Sequence, residues 1–163
     1  MIRGFPSYWD APHQLLDLDG SCGVVTAWGV LKYFRKRTSA SRLIAASRYS
    51  KKHGTLMIAL AVALREHGLS VSFYAEPDPN PQFVEKQCLR IAKRIGVEIH
   101  PAINVNALAS KANAKSIPVV IYDTEEGEAH ITPLLGIEGT KVVLPFTSER
   151  FMSIRLFNRR WRA

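Results

Sequence analysis

The 163-residue sequence predicts an α+β domain, with N-terminal helices packed on a C-terminal antiparallel sheet. Two observations carry that expectation. Between Ser21 and Ile95, apolar residues recur mostly at helical spacing and are punctuated by capping and helix-ending residues. After Ser116 they fall into short branched runs separated by glycine-containing turns. The length suits one domain, 1–163, with a core of its own. It divides into an irregular N-terminal arm (1–19), a mainly helical part (20–115) and an antiparallel sheet part (116–163).

Taken in order, the arm holds Gly4, Pro6 and Pro12 among three aromatics, too broken for a regular element. From Ser21 or Cys22 to Lys36, Val25, Trp28, Val30, Leu31 and Phe34 mark a first helix, and Lys32, Arg35, Lys36 and Arg37 suit its C-terminal end. Ser39 or Ser41 caps a short helix running towards Arg48. Gly54 and Thr55 open a strong helix over residues 56–67, closed by Gly68. Residues 69–74 begin by alternating and read as a half-buried strand. After a proline-rich turn, Pro81 starts a helix that reaches Ile95. Residues 97–100 are a short extended piece, and Asn104 caps a helix over 105–112. The sheet part comprises strands at 117–122, 129–137 and 141–146, with a tight hairpin at Glu138-Gly139-Thr140 and a last strand at 153–157.

Composition narrows the class. Hydrophobic residues are 47% and charged residues 22%, the balance of a globular chain. Two cysteines are too few for a disulfide scaffold, and no signal-peptide pattern opens the chain. The longest apolar run, 56–64, is too short to span a bilayer. A cytoplasmic location with free thiols is therefore expected. The net charge of +8 is concentrated at 32–37, 48–52 and 150–162. It suits an acidic partner, reached through the Arg-rich C-terminus with Arg159, Arg160 and Arg162. Nucleic acid is not the expected partner, because no recognised module accompanies the charge. A weaker alternative is direct nucleic-acid binding through that Arg-rich tail, with Trp161 as a base-stacking residue.

The residue with the most pointed chemistry is Cys22. A turn-forming run, Asp17-Leu18-Asp19-Gly20-Ser21, delivers it to the start of an apolar helix, where free N–H groups and the helix dipole favour a thiolate. Cysteine catalysis also needs a base, an orienting group and oxyanion donors. Among five histidines, His130 stands out because it follows an acidic turn and begins an apolar strand. The alternative readings are bland: a small buried cysteine, a strand-end histidine and, for Gln14, a surface amide. Cys88 lies among apolar residues of the fourth helix and reads as core. No pair shows metal-ligand spacing, so neither a metal nor another cofactor is expected.

Gly20-Ser21-Cys22-Gly23 after Gln14, Gly54-Thr55-Leu56 leading to Gly68-Leu69, Pro118 to Tyr122, and Ala129-His130-Ile131-Thr132-Pro133 leading to Gly139 together resemble a papain-like cysteine peptidase. The nearest group is the bacteriocin-processing peptidases that remove double-glycine leaders, and the order matches from about Gln14 to Phe146. The resemblance implies the papain-like fold and a Cys-His pair that cleaves a peptide or amide bond through an acyl-enzyme. Cys22 would be the nucleophile, His130 the base and later proton donor, and Gln14 would share the oxyanion hole with the Cys22 N–H. The implied partner is a peptide or protein substrate. These peptidases carry an Asp-Pro after the hairpin to orient the histidine. Here Leu144 precedes Pro145. That departure leaves three outcomes: a dyad, a substitute partner such as Thr147 or Glu128, or a catalytically impaired binding module. An acyltransferase on the same fold is a further alternative.

Overall fold

The computed structural model describes residues 1–148 and 150–161. Most of its helices track the local signals. The N-terminal arm, expected to be irregular, instead holds α1 (His13–Leu16) after a 3-10 turn at Tyr8–Asp10 that Ser7 caps. α2 (Cys22–Tyr33), α3 (Ala40–Ala46) and α4 (Met57–Glu66) follow. Ser39 Oγ accepts the Arg42 N–H at the start of α3, satisfying a donor that the helix leaves open. Every residue of α4 from Ile58 to Leu64 is buried, because the helix lies between two cores. Leu60 and Leu64 join the cluster built on α2, while Ile58, Ala59, Ala61 and Val62 join Cys88 and Ala92.

β1 (Ser72–Tyr74), α5 (Phe83–Ile95) and β2 (Glu98–His100) form a strand–helix–strand unit with parallel strands. The sequence reading contained the pieces but not the pairing, and only the last three residues of the expected 69–74 strand pair. α6 (Val105–Ser110) is capped by Asn104, whose Oδ1 accepts the Ala107 N–H.

The last third contains β3 (Val119–Asp123), β4 (Ala129–Pro133), β5 (Gly136–Glu138), β6 (Lys141–Val143) and β7 (Phe151–Ser153). β3 and β4 are antiparallel, with Tyr122 opposite His130, and β5-β6-β7 is an antiparallel meander. The expected single strand at 129–137 changes partner midway. The Leu134 N–H donates to Pro118 C=O at 2.8 Å, and the Leu135 N–H donates to Val143 C=O at 2.9 Å. Gly136, at φ 137°, follows directly and opens β5 in a backbone conformation that glycine allows.

One expected strand is a helix. β7 ends at Ser153, whose Oγ accepts the Leu156 N–H, and α7 (Ile154–Arg160) follows. Ile154, Phe157 and Trp161 repeat at helical spacing, and Phe157 is fully buried in the second core with Leu144. The Arg-rich C-terminus is thus an amphipathic helix docked on the sheet. Arg160 pairs with Glu125 at 3.0 Å, and the Trp161 ring packs on Phe157. Arg162 lies outside the described residues. No described helix is long and apolar enough to cross a membrane.

Candidate active site

Gly20, at φ +65°, turns the chain into α2 and puts Cys22 in its first turn. β4 packs across that end of the helix. In the antiparallel ladder, Ile131 stands opposite Ile121 at a position whose backbone groups point away from β3. Both groups find partners on α2, one turn apart. The Ile131 N–H approaches Cys22 Sγ, and Ile131 C=O accepts a 3.1 Å hydrogen bond from buried Thr26 Oγ1.

The close approach depends on Gly23. A Cβ there would lie 2.8 Å from Thr55 Cβ and 3.3 Å from Ile131 Cδ1. Gly23→Ala therefore forces α2, β4 and the Thr55 loop apart. The expected cost is about 1–3 kcal/mol in denaturant unfolding, the usual range for overpacking. A variant as stable as the wild type would show that the three elements are not held by this contact.

His130 is half-buried, edge-on to Tyr122 at 5.6 Å between ring centroids. Its Nε2 lies 2.8 Å from Phe146 C=O. A carbonyl oxygen only accepts, so Nε2 carries the proton, and Nδ1 of the neutral ring is the basic nitrogen. Phe146 is itself pinned: its ring is buried against Phe5 and Tyr8 and lies over Gly29. A main-chain carbonyl thus holds the imidazole. Neither suggested substitute does so: Thr147 Oγ1 donates to Leu144 C=O, and Glu128 is exposed. Leu144 is fully buried in the second core.

Electrostatics correct one expectation. Burial pushes the Cys22 thiol above its ordinary range, and the N–H groups of Ile131, Gly23 and Cys22 itself offset this only in part. The resting group at neutral pH is a thiol, because desolvation outweighs the helix-end donors. Burial also lowers the His130 pKa, with the Phe146 carbonyl acting the other way. Both partners are therefore neutral at rest. Among the described residues, no hydrogen bond joins Cys22 to His130 directly.

Gln14 lies exposed on α1 and makes no hydrogen bond to the Cys22 region among the described residues. Ser21, just before the cysteine, pairs its Oγ with Tyr8 Oη at 3.0 Å. Thr55 Oγ1 is buried at the Gly23 contact without a hydrogen-bond partner among the described residues. His67 is held by Ala63 C=O and Thr38 Oγ1, His100 stacks on Tyr74, and Cys88 is buried under α4. Among the described residues, no three His, Cys, Asp or Glu side chains cluster as metal ligands would.

Sequence reasoning missed the Ile131 N–H, Thr26 and the Phe146 carbonyl. Thr26 could have been found, since it sits four residues after Cys22 on the same helix face. The two main-chain groups carry no residue signature. No family model, curated protein or solved structure matches the chain.

Proposed function

We propose that the chain is a papain-like cysteine hydrolase that cleaves a peptide or amide bond through an acyl-enzyme. The observation that carries this reading is the His130 ring. Its Nε2–H is committed to the Phe146 carbonyl, which leaves Nδ1 as a base one residue from the backbone N–H that approaches Cys22 Sγ. With both groups neutral, His130 Nδ1 removes the thiol proton as Sγ attacks the carbonyl carbon. The oxyanion of the tetrahedral intermediate faces the N–H groups at the start of α2, and Gln14, exposed on α1 in the unliganded protein, is the proposed side-chain donor. Collapse breaks the C–N bond, and His130 returns the proton to the leaving amine. Water, deprotonated by the same nitrogen, then releases the acid and regenerates the thiol.

Alkylation tests this reading. Iodoacetamide labelling of Cys22, followed by peptide mapping against Cys88, abolishes cleavage of a mixed peptide pool in step with Cys22 labelling. Cleavage that survives full Cys22 labelling overturns the nucleophile assignment.

The second reading is a non-catalytic binding module on the same fold. It is favoured by the raised Cys22 pKa and by the absence of a Cys22–His130 hydrogen bond among the described residues. It predicts that Cys22→Ala leaves biological activity intact while charge reversal of Arg159, Arg160 and Arg162 abolishes it.

A further inference from the structure

A groove of about 860 Å³ opens between the two halves of the molecule at the C-terminal half of α2. Val30 and Phe34 reach it, the nearer of them about 12 Å along the helix from Cys22 at 1.5 Å per residue. Residues 69–75 and 116–121 line it without a gap. A strand showing only one face contributes every second residue, so an unbroken run means that its backbone edge is open to the groove.

The ladders agree. Among the described residues β1 pairs with β2 alone, and β3 forms its ladder with β4. Val71 C=O accepts the Glu98 N–H, and the Ala75 N–H donates to His100 C=O. The N–H and C=O groups of Ser72 and Tyr74 therefore project from the opposite edge. On the other wall, Pro118 C=O accepts the Leu134 N–H, and the Thr124 N–H donates to Glu128 C=O. By the same alternation, Val119 turns its backbone groups away from β4. Trp161 bridges to Tyr122 at the far end of that edge, so the open stretch is its first half.

Between the two edges the floor is apolar, with Met57, Leu60 and Leu64 of α4. The rim is basic. Lys36, Lys111 and Lys115 line the groove, no aspartate or glutamate does, and none of the three lysines is ion-paired among the described residues. The geometry points to a docking site for an acidic, extended peptide segment of a partner protein, added as a strand between β1 and β3. Main-chain hydrogen bonds to the open edges supply affinity. Alternate apolar side chains meet α4, and carboxylates meet the three lysines. A helical ligand would leave both edges unpaired, and a nucleic acid would meet an apolar floor. The site is independent of the hydrolase reading.

The test uses the full chain carrying Cys22→Ala, so that binding is read without turnover. A fluorescein-labelled peptide alternating glutamate with valine is titrated by anisotropy beside a lysine–valine peptide and an N-methylated glutamate–valine peptide. The acidic peptide binds at least about tenfold tighter than either control, and its affinity falls as salt rises. Combining Lys36→Glu, Lys111→Glu and Lys115→Glu lowers the affinity at least about tenfold, and Lys111→Gln alone lowers it in the same direction. All three lysines are exposed, so circular dichroism of the variants matches the parent. Equal binding of the three peptides, or insensitivity to the lysine changes, overturns the proposal. Concentration-dependent self-association that the triple variant abolishes overturns it too, because a second copy would then be the occupant.

Discussion

Cys22→Ala lowers kcat for amide cleavage by roughly 10⁴-fold or more, and His130→Gln lowers it by roughly 10²–10⁴-fold. The two losses do not add, since a nucleophile without its base, or a base without its nucleophile, leaves the same incomplete unit. Residual turnover reports binding and the helix-end donors alone. The pH profile of the wild type carries a second signature. Productive attack begins from the neutral thiol and neutral imidazole. The acid limb of kcat/KM therefore follows protonation of His130, which burial moves below the ordinary value of about 6.5. The alkaline limb follows loss of the Cys22 proton, which burial moves above about 8.5. Between them the rate is flat. A thiolate–imidazolium pair formed at rest would instead place the first limb well on the acid side of an ordinary histidine, through the cysteine. Stopped assays of both variants against a peptide pool, and a profile from pH 5 to 10, decide the matter. A Cys22→Ala protein that retains more than a tenth of wild-type kcat ends the hydrolase reading.

The helices from α2 to α6 were legible because their signals are local. Ser39, Asn104, Gly68 and Gly96 each sit where a helix starts or stops, and a window of a few residues contains the whole reason. The parallel β1–β2 pair was not legible, since its partners are separated by α5 and nothing in residues 69–74 says which strand will come back beside them. α7 was misread because Ser153 closes a strand and caps a helix at once. At the site, Cys22 and His130 could be picked out as residue types. What surrounds them is mostly main chain: Ile131 N–H on the sulfur side, Phe146 C=O on the ring. Burial at the meeting of α2 and β4 also decided the charge state, and a sequence shows a helix start without showing how much protein covers it.

Leu144→Asp, the substitution that would place an acid where papain-like peptidases carry one, destabilises this protein by at least about 3 kcal/mol and brings no gain in kcat. The side chain at 144 is fully enclosed with Val120, Leu134, Val142 and Phe157, so a carboxylate there is either charged without a partner or protonated at a cost. It would also come too late for the imidazole, whose Nε2–H already donates to Phe146 C=O at 2.8 Å. Leu144→Met, which keeps volume and polarity, costs less than about 1.5 kcal/mol and leaves kcat unchanged. Gly29→Ala isolates the alternative device. A Cβ at residue 29 would lie 2.7 Å from Phe146 Cζ, so the ring, and with it the carbonyl that holds His130, must move. Its kcat falls while KM holds, and the acid limb shifts with it, because the carbonyl that raises the His130 pKa has been displaced. Chemical denaturation and steady-state kinetics on the three variants separate the two ways of holding the ring. A stable, faster Leu144→Asp protein together with a silent Gly29→Ala would assign the orienting role to position 144 and remove it from the Phe146 carbonyl.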